Sequence, residues 1–212
     1  MKCQPWYPKD FERTLNNTLP EEEVTLLLQK PNCSPRFVYG VLMLPTILKY
    51  FIGMDQTVKI DRRMTFATIS GYKLYQFSSS STPVIVPSRE PHAVVEGILV
   101  FGLNEHQRNA MYEAEGGLMN LVSVQARIFQ SDRIDDHDMR SVRTVDAGAF
   151  AWKECADGLI PVHSSAWSID GFLKSPFYDL IAQSQHRQAL DSLAQSSEDS
   201  RDAKEPSAEE RV

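Results

Sequence analysis

The sequence has few of the residues that define several common classes of protein. It contains three cysteines, Cys3, Cys33 and Cys155, and they are widely spaced. An odd and dispersed set of cysteines indicates reduced thiols rather than a disulfide framework. None has an evident histidine partner nearby in the sequence, so we do not expect a cysteine nucleophile. The G-x-S-x-G motif of one large class of hydrolases is absent as well.

Positive charge and long apolar runs are also scarce. Lys and Arg number 22 against 28 Asp and Glu, which gives a formal net charge of −6. A general nucleic-acid binder is not expected, because neutralising phosphates requires clustered Lys and Arg. No run reaches the roughly 18 apolar residues of a membrane span, and the opening MKCQPWYPKDFER lacks a signal-peptide core. We therefore expect a cytoplasmic monomer or homodimer whose partner is a small molecule.

The composition changes along the chain and predicts one domain with two extensions. Residues 1–33 are polar and punctuated by proline, and we interpret them as an N-terminal arm laid over the domain. Residues 34–191 are the domain itself. Residues 192–212 are polar and low in aromatics, which is typical of a disordered tail.

Strand and helix signals are mixed within the domain. Strand patterns cover residues 37–39, 64–77 as a pair of strands or one bent strand, 83–87, 93–101, 121–129 and 147–153. Helix patterns cover residues 21–29, 45–52, 105–115 and much of 167–182, and Asn104 with Gln107 predicts a capping box. Residues 132–145 are predicted to be a charged loop. The sequence thus predicts an α+β fold.

The run AVVEGILVF at residues 93–101 is apolar on both alternating faces except at Glu96. A strand of this kind is covered on both sides, as in a small closed barrel or under packed helices. We expect Glu96 to be a rim residue, or one with a hydrogen-bonded partner, rather than a catalyst.

The densest group of metal-ligating residue types is the run DDHD at residues 135–138. Adjacent residues in one loop cannot all face a single ion. We interpret this run as a solvated loop and predict no metal site.

A glycine interrupts the apolar stretch FVYGVLMLP, residues 37–45, between a predicted strand and a predicted helix. A glycine turn that leads into a helix leaves backbone N–H groups unpaired, and such groups can hold an anion without a charged side chain. Alternatively, Gly40 only permits a sharp turn.

Several short motifs occur in an order that resembles the gamma-glutamylcyclotransferase-like family, which includes avirulence-induced plant proteins and fungal relatives. They are FVYGVL (37–42), GY (71–72), PVIVP (83–87), VEG (95–97), MYEAEG (111–116), AW (151–152) and WSIDGF (167–172). The resemblance covers about residues 35–182. It depends on the ordered set, because each motif alone is common.

The resemblance implies a small mixed β-barrel with flanking helices and a cavity at one end. It also implies that Glu115 is the catalytic acid/base, and that a turn formed by Tyr39, Gly40, Val41 and Leu42 binds the α-carboxylate of a gamma-glutamyl substrate. The substrate would cyclise to 5-oxoproline, without a metal or an organic cofactor. Met119 stands where the family pattern places a polar residue close after the glutamate, and we include it among the substrate-binding residues.

The chemistry expected of Glu115 agrees with this role. It lies near the predicted C-terminal end of a helix, where the helix dipole disfavours a negative charge, and Glu113 is close in sequence. With partial burial, both effects would raise its pKa, which suits a group that accepts and returns a proton. Alternatively, Glu115 is a solvated glutamate at a helix end.

The sequence departs from the family pattern at four positions. Tyr112 replaces an aspartate, Met119 and Leu121 stand where the family continues with polar groups, and Val41 replaces a Thr or Ser. All four changes make the site less polar, so a second hypothesis is a cyclase, isomerase or lyase that acts on an apolar natural-product intermediate. A third hypothesis is a non-catalytic binding module.

Overall fold

The computed structural model describes residues 1–80, 82–115, 117–131 and 140–187. Within these ranges the strands, in chain order, are β1 (Arg36–Val38), β2 (Met64–Ser70), β3 (Tyr72–Phe77), β4 (Pro83–Pro87), β5 (Val94–Val100), β6 (Met119–Ser131), β7 (Arg140–Trp152) and β8 (Leu159–Pro161). The helices are α1 (Lys9–Asn16), α2 (Glu21–Leu28), α3 (Pro45–Phe51), α4 (Glu105–Ala114), α5 (Asp170–Leu173) and α6 (176–187). Two 3₁₀ turns, Gly40–Met43 and Ile60–Arg63, complete the set.

Five of the strands form a closed barrel in the order β1-β5-β2-β6-β7. The pair β1 and β7 is parallel, and the other neighbours are antiparallel. The remaining strands form a small sheet in the order β4-β3-β8. The predicted α+β fold, a small mixed β-barrel with flanking helices, is therefore confirmed.

Alternate residues of the barrel strands belong to two apolar clusters, as a strand covered on both faces requires. One cluster joins Val38 and Val100 to residues of the flanking helices, such as Leu48 and Met111. The other contains mostly barrel residues, and several of its members are small: Ala67, Ala126, Ala147, Ala149 and Ala151. Small residues let the five strands close into a narrow barrel.

Gly97 in β5 allows β1 to cross β5 closely. A Cβ atom at this position would lie 2.4 Å from the carbonyl oxygen of Val38 and 2.6 Å from the ring of Phe37. A larger residue there would displace β1, whose end leads into the turn Gly40–Met43. The small residue of the VEG motif thus helps to fix the position of that turn.

The prediction of a charged loop over residues 132–145 was wrong at its C-terminal part. Residues 140–145 are the first part of β7 and pair with β6 from Ser131 back to Ala126. The predicted short strand 147–153 is the continuation of the same strand. Charged residues obscured the pattern, but β-branched residues such as Val142 and Thr144 suit a pleated surface with one solvated face. Residues 132–139, and with them the run 135–138, lie outside the described residues.

Gly71 separates β2 of the barrel from β3 of the small sheet, with a φ of 81°. The sequence predicted either a pair of strands or one bent strand here, and the structure contains the pair. The adjoining β4 is an edge strand that begins and ends with proline, which suits a strand with only one neighbour. It also packs against β7, so that Pro83 lies beside the barrel.

The N-terminal residues 1–33 contain α1 and α2, and both helices are packed by buried side chains, among them Phe11 and Val24. At α4 the predicted capping box is confirmed, because Asn104 and Gln107 hydrogen bond reciprocally. No helix in the described ranges is long and apolar enough to cross a membrane. The three cysteines are free thiols. The predicted tail, residues 192–212, lies outside the described residues.

Candidate active site

The exit of β1 is a tight 3₁₀ turn, Gly40–Met43, that precedes α3. Gly40 has a φ of 65°, which favours glycine, and a Cβ atom there would lie 2.4 Å from Cγ of Pro83. The glycine is therefore required both by the backbone and by the close approach of β4. Because 3₁₀ bonds join residues i and i+3, the first N–H groups of the turn, on Gly40 and Val41, have no acceptor within it.

Glu115 lies at the other side of this turn, as the residue that ends α4. Its side chain is half-buried, and burial raises the pKa of its carboxyl group above the ordinary value of 4.5. Within the described part of the chain, the carboxylate has neither a hydrogen bond nor a salt bridge. We expected the helix end and Glu113 to contribute to a raised pKa, but desolvation alone accounts for its direction.

A hollow of about 60 Å³ joins Glu115 to the exit of β1. It is lined by Phe37, Val38, Tyr39, Val41, Leu42, Thr82, Pro83, Glu115 and Phe150. The fold thus brings together four of the residues named from the sequence, namely Glu115, Tyr39, Val41 and Leu42. Most of the lining is apolar.

Tyr39 forms one wall of the hollow and is held in its neutral form. Its hydroxyl donates a hydrogen bond of 2.7 Å to the carbonyl oxygen of Phe150. Burial, together with the nearby negative charge of Glu115, raises the pKa of Tyr39, and a backbone hydrogen bond from Ile85 only partly opposes this. The hydroxyl proton is therefore already engaged, and Tyr39 connects the end of β1 to β7.

Two residues named from the sequence do not line the hollow. Gly40 shapes the turn and lies against Pro83, which does line the hollow. Met119 is buried in the apolar cluster beside Phe150, with 6% of its surface exposed. Leu121 and Tyr112, two of the positions that depart from the family pattern, are about half exposed.

A second and much larger cavity adjoins the hollow. This cleft has a volume of about 1180 Å³ and lies between the N-terminal residues, the segment around β4 and the chain from 162 to 177. Val41, Thr82 and Pro83 line both cavities, so they form a shared wall. Trp167 and Phe172 of the WSIDGF motif also line the cleft.

Glu96 is the only acidic side chain among the residues described as lining the cleft. The Ser165 hydroxyl donates a 2.6 Å hydrogen bond to its Oε1 atom, and the N-terminal amine of Met1 contacts its Oε2 atom. Burial raises the pKa of Glu96, but hydrogen bonds from the amine and from Ser165 outweigh it, so the net shift is downward. The sequence-based expectation of a hydrogen-bonded partner is confirmed.

Some lining residues were missed by the sequence analysis. Pro83 was assigned only to a short extended piece, Phe150 only to a strand, and Thr82 to no element. Their involvement depends on β4 packing against β7, for which the sequence contains no local signal. The proline of PVIVP belongs to the ordered motif set, and that is the one indication that could have pointed to it.

No group of three or more His, Cys, Asp or Glu side chains is placed to hold a metal ion in the described ranges. The residues with polar side chains that line the hollow are Glu115, Tyr39 and Thr82. Such a set can transfer a proton and orient a small polar group.

One family model and several solved structures are similar to this chain. The model of a family described as gamma-glutamyl cyclotransferase, AIG2-like, matches residues 36–169, more than half of the chain. The chain is similar in structure to an Arabidopsis thaliana protein solved in solution, with 18% identity and a TM-score of 0.44, covering 73% of this chain and 90% of that one.

Two further solved structures are similar to the chain. One is an uncharacterized protein of Pyrococcus horikoshii, with 16% identity and a TM-score of 0.43, covering 66% of this chain and 94% of that one. The other is a gamma-glutamyl cyclotransferase, with 14% identity and a TM-score of 0.43, covering 85% and 92%. A comparison with curated proteins finds no match.

Proposed function

The chain belongs to the AIG2-like gamma-glutamyl cyclotransferase family, and on this basis we propose that it cyclises a gamma-glutamyl compound to 5-oxoproline with Glu115 as the acid/base. The Glu115 carboxylate accepts a proton from the α-ammonium group of the substrate. The freed amine then attacks the γ-carbonyl carbon and loses its second proton to water, and the bond from that carbon to the leaving nitrogen breaks. Glu115 returns its proton to the leaving nitrogen, so the enzyme ends the cycle unchanged.

The observation that carries the proposal is the position of Glu115 on the same hollow as the exit of β1. A carboxylate without a hydrogen-bonded partner in the described chain is available to the substrate. A raised pKa makes it a stronger base toward an ammonium group, and it also makes the protonated form a competent donor in the second half of the cycle.

The turn provides the second part of the site. The N–H groups of Gly40 and Val41 have no acceptor within the 3₁₀ turn, and we propose that they bind the α-carboxylate of the substrate. Holding the amine and the γ-carbonyl of one molecule in a folded arrangement supplies much of the rate, since the reaction is intramolecular. The proposed reaction is a proton transfer with ring closure and requires no cofactor.

The sizes of the two cavities constrain where the substrate lies. The hollow is well below the roughly 300–1,000 Å³ of typical ligand pockets, so it accommodates one functional group rather than a whole metabolite. The adjoining cleft is large enough for the rest. We therefore place the reacting end at the shared wall of Val41, Thr82 and Pro83, with the leaving group in the cleft.

The apolar lining favours one other candidate. Phe37, Leu42 and Phe150 line the same hollow as Glu115, and Val41 adds a methyl group where the family pattern has a hydroxyl. In such surroundings a neutral carboxyl group is a suitable proton donor. The second candidate is therefore a cyclase, isomerase or lyase in which Glu115 protonates an apolar intermediate of secondary metabolism.

Detection of 5-oxoproline by mass spectrometry tests the first candidate. The purified chain is incubated with a panel of gamma-glutamyl amino acids and amines, alongside Glu115→Gln and Glu113→Gln. Glu113 is an exposed residue of the same helix and serves as the matched control. We expect product from the wild type and from Glu113→Gln, and essentially none from Glu115→Gln.

Equal product from Glu115→Gln would refute the role of Glu115. Absence of product from every member of the panel would count against gamma-glutamyl chemistry. An apolar molecule that co-purifies with the chain would then be the material to examine. Its conversion by wild type but not by Glu115→Gln would support the second candidate, and binding without conversion would support a non-catalytic module.

A further inference from the structure

The cleft beside the hollow contains a carboxylate whose position is fixed from one side. Ser165 contacts Glu96 twice, because its hydroxyl donates to Oε1 at 2.6 Å and its carbonyl oxygen accepts the Glu96 backbone N–H at 2.7 Å. These bonds join β5 to the chain beyond β8. The orientation of the Glu96 carboxylate is therefore set by the fold before any ligand binds.

The other oxygen of the same carboxylate is reached by an ammonium group. Oε2 contacts the N-terminal amine of Met1, and both Met1 and Glu96 line the cleft. No side chain in the described ranges donates to Oε2. The atom thus accepts a positively charged nitrogen on the side of the cleft, and the Met1 amine is the donor that reaches it within the described ranges.

The surroundings of Glu96 favour a cation over a neutral group. The Glu96 side chain is 21% exposed, and aromatic residues such as Trp167 and Phe172 line the same cleft. A carboxylate that is partly removed from water is stabilised by a positive partner. Apart from Lys2 and the Met1 amine, the described lining contains no basic group.

We propose that Glu96 and Ser165 form a subsite for a protonated amine in the part of the ligand that lies beyond the shared wall. The matching ligands have a reacting carbonyl at one end and an alkylammonium group on the amine that leaves. This inference rests on the proposed function for the reacting end, whereas amine binding at Glu96 is independent of it.

Titration of the protein with n-butylamine near neutral pH tests the subsite, and binding is measured from NMR chemical-shift changes. The uncharged control ligand is 1-butanol. The wild type and all variants are prepared with the same N-terminus, because the Met1 amine contacts Oε2 of Glu96, the atom proposed to bind the ligand. We expect saturable binding of the amine, little binding of the alcohol, and an affinity about tenfold lower in Glu96→Gln, since a charge-assisted hydrogen bond is lost. Glu115→Gln should bind the amine as the wild type does.

The variant Glu96→Gln keeps an oxygen that can accept the Ser165 bond, so it should fold, and its thermal unfolding is measured to verify this. Ser165→Ala is an independent variant: it keeps the Glu96 charge but removes the hydroxyl that orients the carboxylate. The expected loss of affinity for butylamine is about threefold. The subsite would be overturned if butylamine and butanol bound with equal affinity. It would also be overturned if amine binding were lost in Glu115→Gln but kept in Glu96→Gln.

Turnover provides a second readout. The compounds are gamma-glutamyl-1,4-diaminobutane and gamma-glutamyl-butylamine, which differ mainly in the terminal ammonium group. We expect kcat/KM to favour the diamine compound by about tenfold in the wild type and by much less in Glu96→Gln. If neither compound is cyclised while butylamine still binds at Glu96, the proposed function fails and the subsite stands. If both compounds are cyclised equally well, the proposed function stands and the subsite is refuted.

Discussion

Two carboxylates on either side of one wall show how the same side chain acquires opposite properties. Glu115 faces a hollow of about 60 Å³, has no hydrogen-bonded partner in the described chain, and has a raised pKa. Glu96 faces a cleft of about 1180 Å³, is bonded to Ser165 and to an amine, and has a lowered pKa. Burial acts in the same direction on both. The difference is caused by donors that stabilise the charged form at Glu96 and are missing at Glu115.

This contrast assigns a different chemistry to each residue. A carboxyl group that exchanges its proton readily suits acid/base catalysis, whereas one that stays ionised suits the binding of a cation. Val41, Thr82 and Pro83 separate the two environments and contact both cavities. The experiments below test whether the two carboxylates really differ in this way.

The largest expected effect is on turnover, and it should separate the two residues by kinetic parameter. With a substrate that carries an alkylammonium leaving group, Glu115→Gln should lower kcat by about 10²- to 10⁴-fold, the range for loss of a general acid/base. Glu96→Gln should mainly raise KM, because it removes binding outside the reacting centre. Steady-state kinetics on both variants checks this. A kcat loss of similar size in both would mean that the two carboxylates act together.

The next largest effect concerns the wall of the hollow. Gly40→Ala should lower the free energy of unfolding by about 2–4 kcal/mol, because it adds a left-handed backbone strain to an overlap with Pro83. Gly53→Ala is the matched control, since Gly53 has a similar φ of 59° but nothing within 4 Å of the place where its Cβ atom would lie. It should cost about 1 kcal/mol. Urea unfolding measures the free energy of unfolding of both variants. Equal losses of stability would show that Pro83 can move aside without an energetic penalty.

A smaller effect is the dependence of stability on pH, which should have opposite signs for the two residues. The pKa of Glu96 in the folded protein lies below 4.5. Its contribution to the free energy of unfolding is therefore complete above that value and is lost as pH falls through the folded pKa. The folded pKa of Glu115 lies above 4.5, so stability declines as pH rises from about 4.5 through that pKa.

Urea unfolding over about pH 3 to 8 compares the wild type with each glutamine variant. Glu96→Gln should flatten the loss of stability toward acid. Glu115→Gln should instead remove the decline in stability that the wild type shows as pH rises above about 4.5. It should therefore become more stable relative to the wild type toward neutral pH. Parallel curves for the two variants would contradict the assignment of opposite shifts.

The smallest expected effect comes from restoring a hydroxyl to the shared wall. Val41→Thr introduces a donor that can stabilise the ionised form of Glu115, so the acidic limb of the pH–rate profile should move to lower pH. The cost in stability should be about 1 kcal/mol, because a half-buried hydroxyl replaces a methyl group. Val94→Thr, at an exposed position of β5, should leave the profile unchanged. If the two variants behave alike, Val41 does not influence Glu115.

Local features of the fold were predictable where one short segment contains the whole signal. Asn104 and Gln107 stabilise the start of α4 through bonds between residues three apart, so their types and spacing were sufficient. In contrast, the first part of β7 was predicted as a loop, because its charges mask a strand that pairing with β6 stabilises.

For the candidate site, the ordered motifs were sufficient to name Glu115 and the turn after β1, whose roles stay predictions. They did not indicate Thr82, Pro83 or Phe150, which reach the hollow only because β4 packs against the barrel. Met119 was named because it stands where the family pattern continues with a polar residue close after the glutamate, yet its side chain is buried in the core. Proximity in sequence does not specify which cavity a side chain faces.

By itself, the sequence determined the family, the caps and glycine turns, and the alternation of residues that a closed barrel requires. These properties depend on neighbours a few positions apart, where backbone geometry leaves little freedom. Only the tertiary structure decided how the two carboxylates differ. The hydroxyl bonded to Glu96 belongs to a residue 69 positions further along the chain, and the walls that desolvate Glu115 come from β1, β4 and β7. A pKa responds to the water and the donors around a group, and these are known only after the strands have been brought together.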